Sequence, residues 1–341
     1  MRIAGRQIGP GEPPYIVAEI GVNHDGSVQK AIELVQAAKD AGADAVKLQL
    51  YETDRLLSKA AKLAAYQKES GASDPFEMLR RLEMSADDME PIVAYAHAAG
   101  LQAVVSIFSV ELVPLAEELK FDAYKTASPD IINRPLIEAM MSTRKPLLLS
   151  TGAASASEVA DATEWLGGHP HIMLHCVSAY PTPDDRAALA ARIALSRINP
   201  RALGYSDHTQ SLDTGALAVA SGACLLERHI TYDRSAPGPD HAASLDPQGF
   251  AEYVRLVHRA AKMCGHAEKR VLDVEQDVRN VSRQSLTATA DLPAGHLLHS
   301  EDITIKRPGT GISPARLQSI IGRRLARRVE ADMPICEEDL A

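Results

Sequence analysis

Serine, aspartate and histidine stand side by side in "YSDHTQ" (205–210), and "LLERHI" (225–230) places a glutamate two residues before a histidine. His208 and His229 offer imidazole nitrogens, common protein ligands for a divalent cation. Taken singly, His208 reads first as a helix-start residue and His229 as a satisfied core histidine. On neighbouring strands, about 4.8 Å apart, the two could share one ion and leave its other positions open. Glu227 shares a strand face with His229, so it can steady the imidazole or orient a metal-bound water. Lys47 and Gln49 share a face of "AVKLQL" in the same way. Lys125 precedes Ser128 in "YKTASPD", Ser150 and Ser206 end two more apolar runs, and Glu19 closes "YIVAE". A lysine so placed can reach the surface, form a Schiff base or clamp an anion. Two ammonium groups among several hydroxyls favour the clamp, for a phosphate or carboxylate.

Such groups act together only if one scaffold gathers them. Eight short apolar or β-branched runs, at 15–20, 45–50, 101–108, 122–127, 146–151, 172–177, 201–206 and 223–230, alternate with segments of helical period. In "SVQKAIELVQAAKDAG", Ile32, Val35 and Ala38 recur at helical spacing and Gly42 suits a stop. Eight strand–helix units within residues 1–265 predict a closed (β/α)8 TIM barrel, whose chemistry sits at the C-terminal strand ends. "RIAGRQIG" predicts a hairpin plugging the barrel bottom, and the stretch from Arg55 to Ser85 a helical excursion over its mouth. Residues 266–282 are charged and lack a core stripe, which predicts a linker or exposed helix. Residues 283–341 read as a small turn-rich domain in which "DLPAGHLLHSEDI" and "RVEADMPICEEDL" echo each other.

The 341 residues carry a net charge of −9, which disfavours nucleic acid and anionic membranes as partners. No run of about 18 apolar residues and no signal-like N-terminus is present, so a soluble cytoplasmic protein is expected. Four widely spaced cysteines read as reduced thiols. "NHDG" (23–26) reads as a tight turn with His24 and Asp25 in solvent, Trp165 as packing, and "GRRLARR" as a basic helix face.

In this order, "IVAEIGVNHDGS", "AVKLQLY", "YKTASPD", "LLLSTG", "HCVSAYPTP", "GYSDHT", "LERHIT", "GPDHAASLDP" and "IKRPGTGI" resemble the sialic acid synthases, which make N-acetylneuraminate or related nonulosonic acids. The resemblance spans nearly the whole chain. It implies a barrel followed by an antifreeze-like (SAF) domain, in a homodimer where that domain caps the partner's barrel. It implies condensation of phosphoenolpyruvate with an N-acetylhexosamine, releasing phosphate, with a divalent metal, commonly manganese, with magnesium or cobalt as alternatives. N-acetylmannosamine is the expected acceptor; the alternative is a 6-deoxy-2,4-diacetamido sugar, giving legionaminic or pseudaminic acid. By position, His208 and His229 become metal ligands and Glu19 a catalytic carboxylate, while Glu227 remains a candidate to place water. Lys47, Lys125, Ser128, Ser150 and Ser206 become the phosphoenolpyruvate cradle. Gln49, Tyr180 and Asp240 become sugar contacts, and Arg307 the arginine inserted by the partner.

Three departures stand out. Ser106 in "VVSIFS" replaces a usual threonine without the following proline, Asp130 replaces a usual glutamate, and the excursion lacks a substrate asparagine found in some members. Two readings from other classes stay open at this point: a Schiff-base aldolase built on Lys47 or Lys125, and a carbohydrate- or ice-binding module on a barrel kept as scaffold.

Overall fold

The computed structural model describes residues 1–69, 71–265 and 268–341. Eight parallel strands close a barrel: β1 (Tyr15–Gly21), β2 (Ala45–Leu50), β3 (Gln102–Ile107), β4 (Ala123–Thr126), β5 (Leu147–Ser150), β6 (His171–Cys176), β7 (Leu203–Asp207) and β8 (Leu225–His229). Each pairs with its neighbour in sequence, and β8 returns to β1 with His229 opposite Glu19. All eight expected runs are strands, and the barrel is the expected one.

The alternation of side chains along each strand explains why this fold places chemistry where it does. Outward residues such as Ile16, Ala18, Ile20, Val46 and Leu48 pack against the helices in one continuous core. Inward residues near the strand starts are apolar: Tyr15, Val17, Ala45, Val104, Ala123, Leu148, Ile172, Leu174 and Leu225 fill the lower barrel. Two residues further along the same inward faces, the chain turns polar. Glu19, Lys47, Ser106, Lys125, Ser150, Ser206 and Glu227 are all buried there. A solid apolar base therefore supports a polar upper layer.

The helix α1 (Val28–Asp40) shows the local logic of the outer ring. Ser27 caps it by accepting from the Lys30 amide, and it buries Ala31, Leu34, Val35 and Ala38. Gly42 follows at φ +87°, a conformation that releases the chain toward β2 without a Cβ penalty. The excursion forms short helices at Thr53–Leu56, Ala65–Glu69 and Pro75–Leu82. Met78 and Leu82 pack on Val22 and Tyr51, which leave the C-terminal ends of β1 and β2, so the excursion does cover the mouth.

At the other end, Arg2–Ile3 and Arg6–Gln7 pair as a hairpin. Its Ile3 and Ile8 enter the lower-barrel cluster. Residues Met1–Gly265 form one compact unit and His266–Ala341 another. Within the second, a helix spans Gln276–Ser282 and two antiparallel strands, β9 (Ser285–Ala288) and β10 (Ile303–Lys306), join a core of Leu286, Leu292, Leu298, Ile312, Ile320, Leu325, Val329 and Ile335. The two echoing sequences both end in a 3-10 turn closed by an aspartate, Asp302 accepting from the His299 amide at 2.9 Å and Asp339 from that of Cys336 at 2.6 Å. No helix among the described residues is long and apolar enough to cross a membrane.

The hairpin plug is testable. Ile3→Ala removes a fully buried side chain and is expected to cost about 2–5 kcal/mol in urea unfolding. A loss below about 1 kcal/mol would show that the hairpin does not close the barrel.

Candidate active site

The polar layer contains two lysines and two carboxylates in direct contact. Lys47 Nζ lies 2.7 Å from Glu19 Oε2 and 3.9 Å from Glu227 Oε2, and donates to Ser106 Oγ at 2.9 Å. Lys125 Nζ lies 3.4 Å from Glu227 Oε1, which also accepts the Ser206 hydroxyl at 2.9 Å. Gln49 donates to Glu19 Oε1 at 3.0 Å. The positions follow from register, since Glu19 sits beside Lys47, Ser106 beside Lys125 and Glu227 beside Ser206 in adjacent strands.

Burial drives the protonation of this group. It pushes the Glu19 carboxyl above the usual carboxylate range, an effect that Lys47 and Gln49 only partly offset. Burial acts on Glu227 in the same direction, but Lys125, Lys47 and the Ser206 hydrogen bond outweigh it and leave that carboxyl low. Burial also lowers Lys125, reinforced by the charge on Lys47. Lys47 resists the same penalty because Glu19 and Glu227 hold it charged. The two carboxylates are thus driven apart, one toward the acid and one toward the anion, as acid–base work requires.

The histidines meet at the same rim, with ring centroids 5.4 Å apart. His208 Nδ1 faces the Val177 carbonyl at 3.0 Å, which fixes the tautomer with the lone pair on Nε2. His229 Nδ1 is buried without a hydrogen-bond partner among the described residues, 3.6 Å from Asp240 Oδ2. Burial holds this imidazole well below its ordinary value, and His208 and both lysines add to the effect, so it is neutral and able to ligate. An orphaned buried nitrogen beside a second oriented imidazole suits a divalent cation. Among the described residues no group of three or more His, Cys, Asp and Glu side chains is arranged to hold a metal ion.

The other expected residues fall around this centre. Tyr180 lays its ring 4.1 Å from His208. Gln49, Glu19 and Asp240 converge over Gly21, where a Cβ would stand 3.0, 3.0 and 3.3 Å from their polar atoms and φ is +55°. Ser128 Oγ lies 3.5 Å from Cys176 Sγ, and Ser150 Oγ is buried without a partner among the described residues. A Cβ on Gly152 would strike Ser178, Ser128 and Cys176 at 2.3, 2.8 and 3.0 Å, so the hydroxyls crowd that turn because it is glycine. Asp130 is half-buried in the 3-10 turn Ser128–Ile132. Arg307 belongs to the second unit and is exposed there.

Two expectations are overturned. "GRRLARR" (322–328) is not a helix face: it runs as turn and bridge, Arg324 pairing with Leu297 and Leu325 with Leu340. His24 and Asp25 are not solvated: His24 is buried and its Nδ1 accepts from the Gly26 amide at 3.0 Å, while Asp25 is three-quarters buried at its side chain. Asp25 meets His241 Nε2 at 3.1 Å and Lys30 Nζ at 2.8 Å, and Asn23 Nδ2 donates to the Ile230 carbonyl and to Ser244 Oγ. "NHDG" therefore ties the loop after β1 to the loop after β8, beside Asp240. Sequence reasoning also passed over Tyr66, whose ring lies 4.9 Å from that of Tyr180, and Cys176, 3.7 Å from His208 Nδ1. Strand parity could have found Cys176, because it shares the inward face of Ile172 and Leu174.

Fold and rim together define a (β/α)8-barrel enzyme with two buried lysines at its mouth, followed by a small C-terminal domain. Residues 34–269 match the NeuB family and residues 283–341 the SAF domain, and the chain belongs to the NeuB family. It is 36% identical over 335 residues to N,N'-diacetyllegionaminic acid synthase of Legionella pneumophila, covering 96% of this chain and 94% of that one. It is 31% identical over 339 residues to N-acetylneuraminate-9-phosphate synthase of Homo sapiens, covering 98% and 94%. The crystal structure of N-acetylneuraminic acid synthetase from Leptospira borgpetersenii, in complex with citrate, superposes with a TM-score of 0.75 at 30% identity, over 82% of this chain and 94% of that one.

Burial holds His24 at about 4 against an ordinary 6.5, a difference worth about 3 kcal/mol. Because the folded state keeps this ring neutral, the contribution is complete above pH 6.5 and is lost as pH falls toward about 4. Urea unfolding across that window is expected to show this decline, and His24→Asn to flatten it. Parallel curves for the two proteins would contradict the assignment.

Proposed function

We propose that the chain is a phosphoenolpyruvate-dependent nonulosonic acid synthase, condensing phosphoenolpyruvate with an N-acylated amino hexose and releasing phosphate. The observation that carries the reading is the pair of buried lysines facing two histidines inside the barrel mouth of a NeuB-family chain. Legionaminic acid synthases of Legionella pneumophila and Campylobacter jejuni, 36% and 33% identical over most of the chain, favour a 6-deoxy-2,4-diacetamido hexose as acceptor. That reverses the order of acceptors expected from the sequence. N-acetylmannosamine is the second reading, supported by the likeness to the Leptospira synthetase.

In this reading Lys47 and Lys125 hold the phosphate, with Ser128 and Ser150 donating to its oxygens; Ser206 lines the same cradle with its proton on Glu227, and Ser106 keeps Lys47 aimed. His208 and His229 would hold a divalent cation, manganese in the first instance, which when bound supplies Lewis-acid polarisation of the sugar aldehyde. Gln49, Asp240, Asp130 and Tyr180 orient the open-chain sugar so that its carbonyl carbon faces the phosphoenolpyruvate methylene. Bond formation between these carbons leaves positive charge at the former C2 of phosphoenolpyruvate, and water adds there. Glu227, held as the anion, takes the proton of that water. Glu19, pushed toward its protonated form, delivers a proton to the new alkoxide. The C2 hydroxyl then becomes the ketone as the C–O bond to phosphate breaks, its proton leaving with the phosphate, whose charge the lysines hold.

Homodimer formation with Arg307 acting on the partner's sugar completes the proposal. It draws support from an apolar stripe on the segment before β9, where Val274, Val278 and Val281 are 85%, 61% and 58% exposed at helical spacing.

Phosphate release with phosphoenolpyruvate and each hexosamine tests the reaction and ranks the acceptors; no release with any would overturn it. Lys125→Met is expected to lower kcat/KM for phosphoenolpyruvate by about 10²–10³-fold. His229→Ala is expected to lose both turnover and bound manganese, and retained metal would remove His229 from the ligand set. A mixture of Arg307→Ala and His229→Ala chains is expected to recover activity that neither has alone. No recovery on mixing would rule out action across the dimer. Borohydride with pyruvate is expected to trap nothing, whereas a covalent adduct would favour a Schiff-base aldolase.

A further inference from the structure

Immediately behind the two histidines lies a second, wholly buried charge pair that the proposed chemistry does not use. Asp207 and Arg228 are each 0% exposed, and Arg228 Nη1 lies 2.8 Å from Asp207 Oδ1. They are the last partnered residues of the β7–β8 ladder, and each directly precedes a histidine of the site. Neighbours on a strand face opposite ways, so the histidines face the barrel interior while this pair faces the helices. There the guanidinium stands 5.4 Å from the ring centroid of Tyr253, on the helix Pro247–Cys264.

Thr209 completes the arrangement from the far side of His208. Its amide and its hydroxyl both donate to Asp207 Oδ1 at 2.9 Å. Arg228 Nη1 donates to the same hydroxyl oxygen at 3.2 Å and Nη2 donates to the Thr209 carbonyl. The residues on either side of His208 are therefore both bonded to the residue that precedes His229. Beyond Asp207 the strand has ended. The only other backbone tie on His208 among the described residues is its carbonyl, which accepts from the Thr182 amide at 2.8 Å.

Stability alone does not account for this pair. Taking two charges out of water costs about as much as their attraction returns, and apolar side chains of similar volume hold a fold as well or better. Arg228 Nε moreover lacks a hydrogen-bond partner among the described residues. What an ion pair adds over apolar packing is direction, because a guanidinium fork bonded to a carboxylate and to a neighbouring loop fixes both strand ends in one geometry.

We propose that Asp207, Thr209 and Arg228 form a positioning device that sets the separation and orientation of the His208 and His229 rings. The proposal rests on the reading of those histidines as metal ligands. These residues touch neither substrate nor cation and act through the histidines, as outer partners of ligating imidazoles do elsewhere.

The test uses Asp207→Leu/Arg228→Met, which exchanges the pair for apolar side chains of similar reach and is expected to unfold cooperatively in urea like the parent. Manganese binding is read by electron paramagnetic resonance of the free ion, on metal-stripped full-length protein without substrates. The affinity of the double variant is expected to fall about 10- to 100-fold. A folded double variant that binds manganese within about twofold of the parent overturns the proposal, since folding has then been kept and the device shown to be idle. Thr209→Val, which removes one hydroxyl at nearly constant shape, provides the same comparison if the double variant does not fold. It is expected to weaken binding in the same direction, and parental affinity overturns the proposal. A His229→Ala control separates the two claims: if the parent binds manganese no better than this control, the metal reading has failed. Crystal structures of metal-free parent and variant then decide the positioning claim directly. Rings moved from their 5.4 Å centroid separation uphold it, and unmoved rings refute it.

Discussion

Two ammonium groups and two carboxylates face one another inside the barrel mouth, with almost no access to water. An isolated charge in such a place costs more than a domain can bear, so each must be balanced by a neighbour. That requirement explains much of the surrounding structure. It places Glu19 and Glu227 on inward positions of the adjacent strands β1 and β8, on the same side of β2, which supplies Lys47. It sets Ser106 and Ser206 where they can hydrogen-bond Lys47 and Glu227, and it requires glycine at position 21, where Glu19, Gln49 and Asp240 press in. The balance is nevertheless incomplete. Ser150 Oγ, Glu227 Oε2 and His229 Nδ1 remain buried without hydrogen-bond partners among the described residues. Orphaned polar atoms of this kind destabilise a fold, and their concentration at one rim marks the place where a polar ligand would restore what folding leaves unsatisfied.

The barrel divides its labour by height. Below, the inward positions are apolar and plugged by Ile3 and Ile8; above, the same strand faces carry charge two residues later. The lower layer supplies the stability that the upper layer spends. The tie among Asp207, Thr209 and Arg228 extends this division sideways, since it orders the two histidine-bearing strand ends from the helix side of the wall.

Much of this was legible in the sequence because it follows short-range rules. The eight strands came from runs of apolar residues, and period-two alternation put Lys47 with Gln49 and Glu227 with His229 on inward faces. His208 lies just past the end of β7, yet its neighbour on β8 was predictable from barrel order alone. What escaped notice depends on long-range closure. Asn23 and Asp25 read as turn residues, and His241 drew no reading, until the loops after β1 and β8 meet more than two hundred residues apart in sequence. Tyr66 lies in an excursion with no period that would point its ring at Tyr180. Cys176 looked like one more buried thiol, although the parity of β6 aims it at the rim.

The central claim is that the buried lysines form a phosphate-holding cradle beside a cation site. Diffraction from crystals soaked with manganese and phosphoenolpyruvate, collected with the anomalous signal of the metal, tests it most directly. The account predicts an anomalous peak shared by the His208 and His229 rings, and phosphate oxygens within hydrogen-bond distance of Lys47 Nζ, Lys125 Nζ and Ser150 Oγ. Phosphate bound outside the barrel mouth, or continuous density from either lysine to a pyruvate carbon, would contradict it.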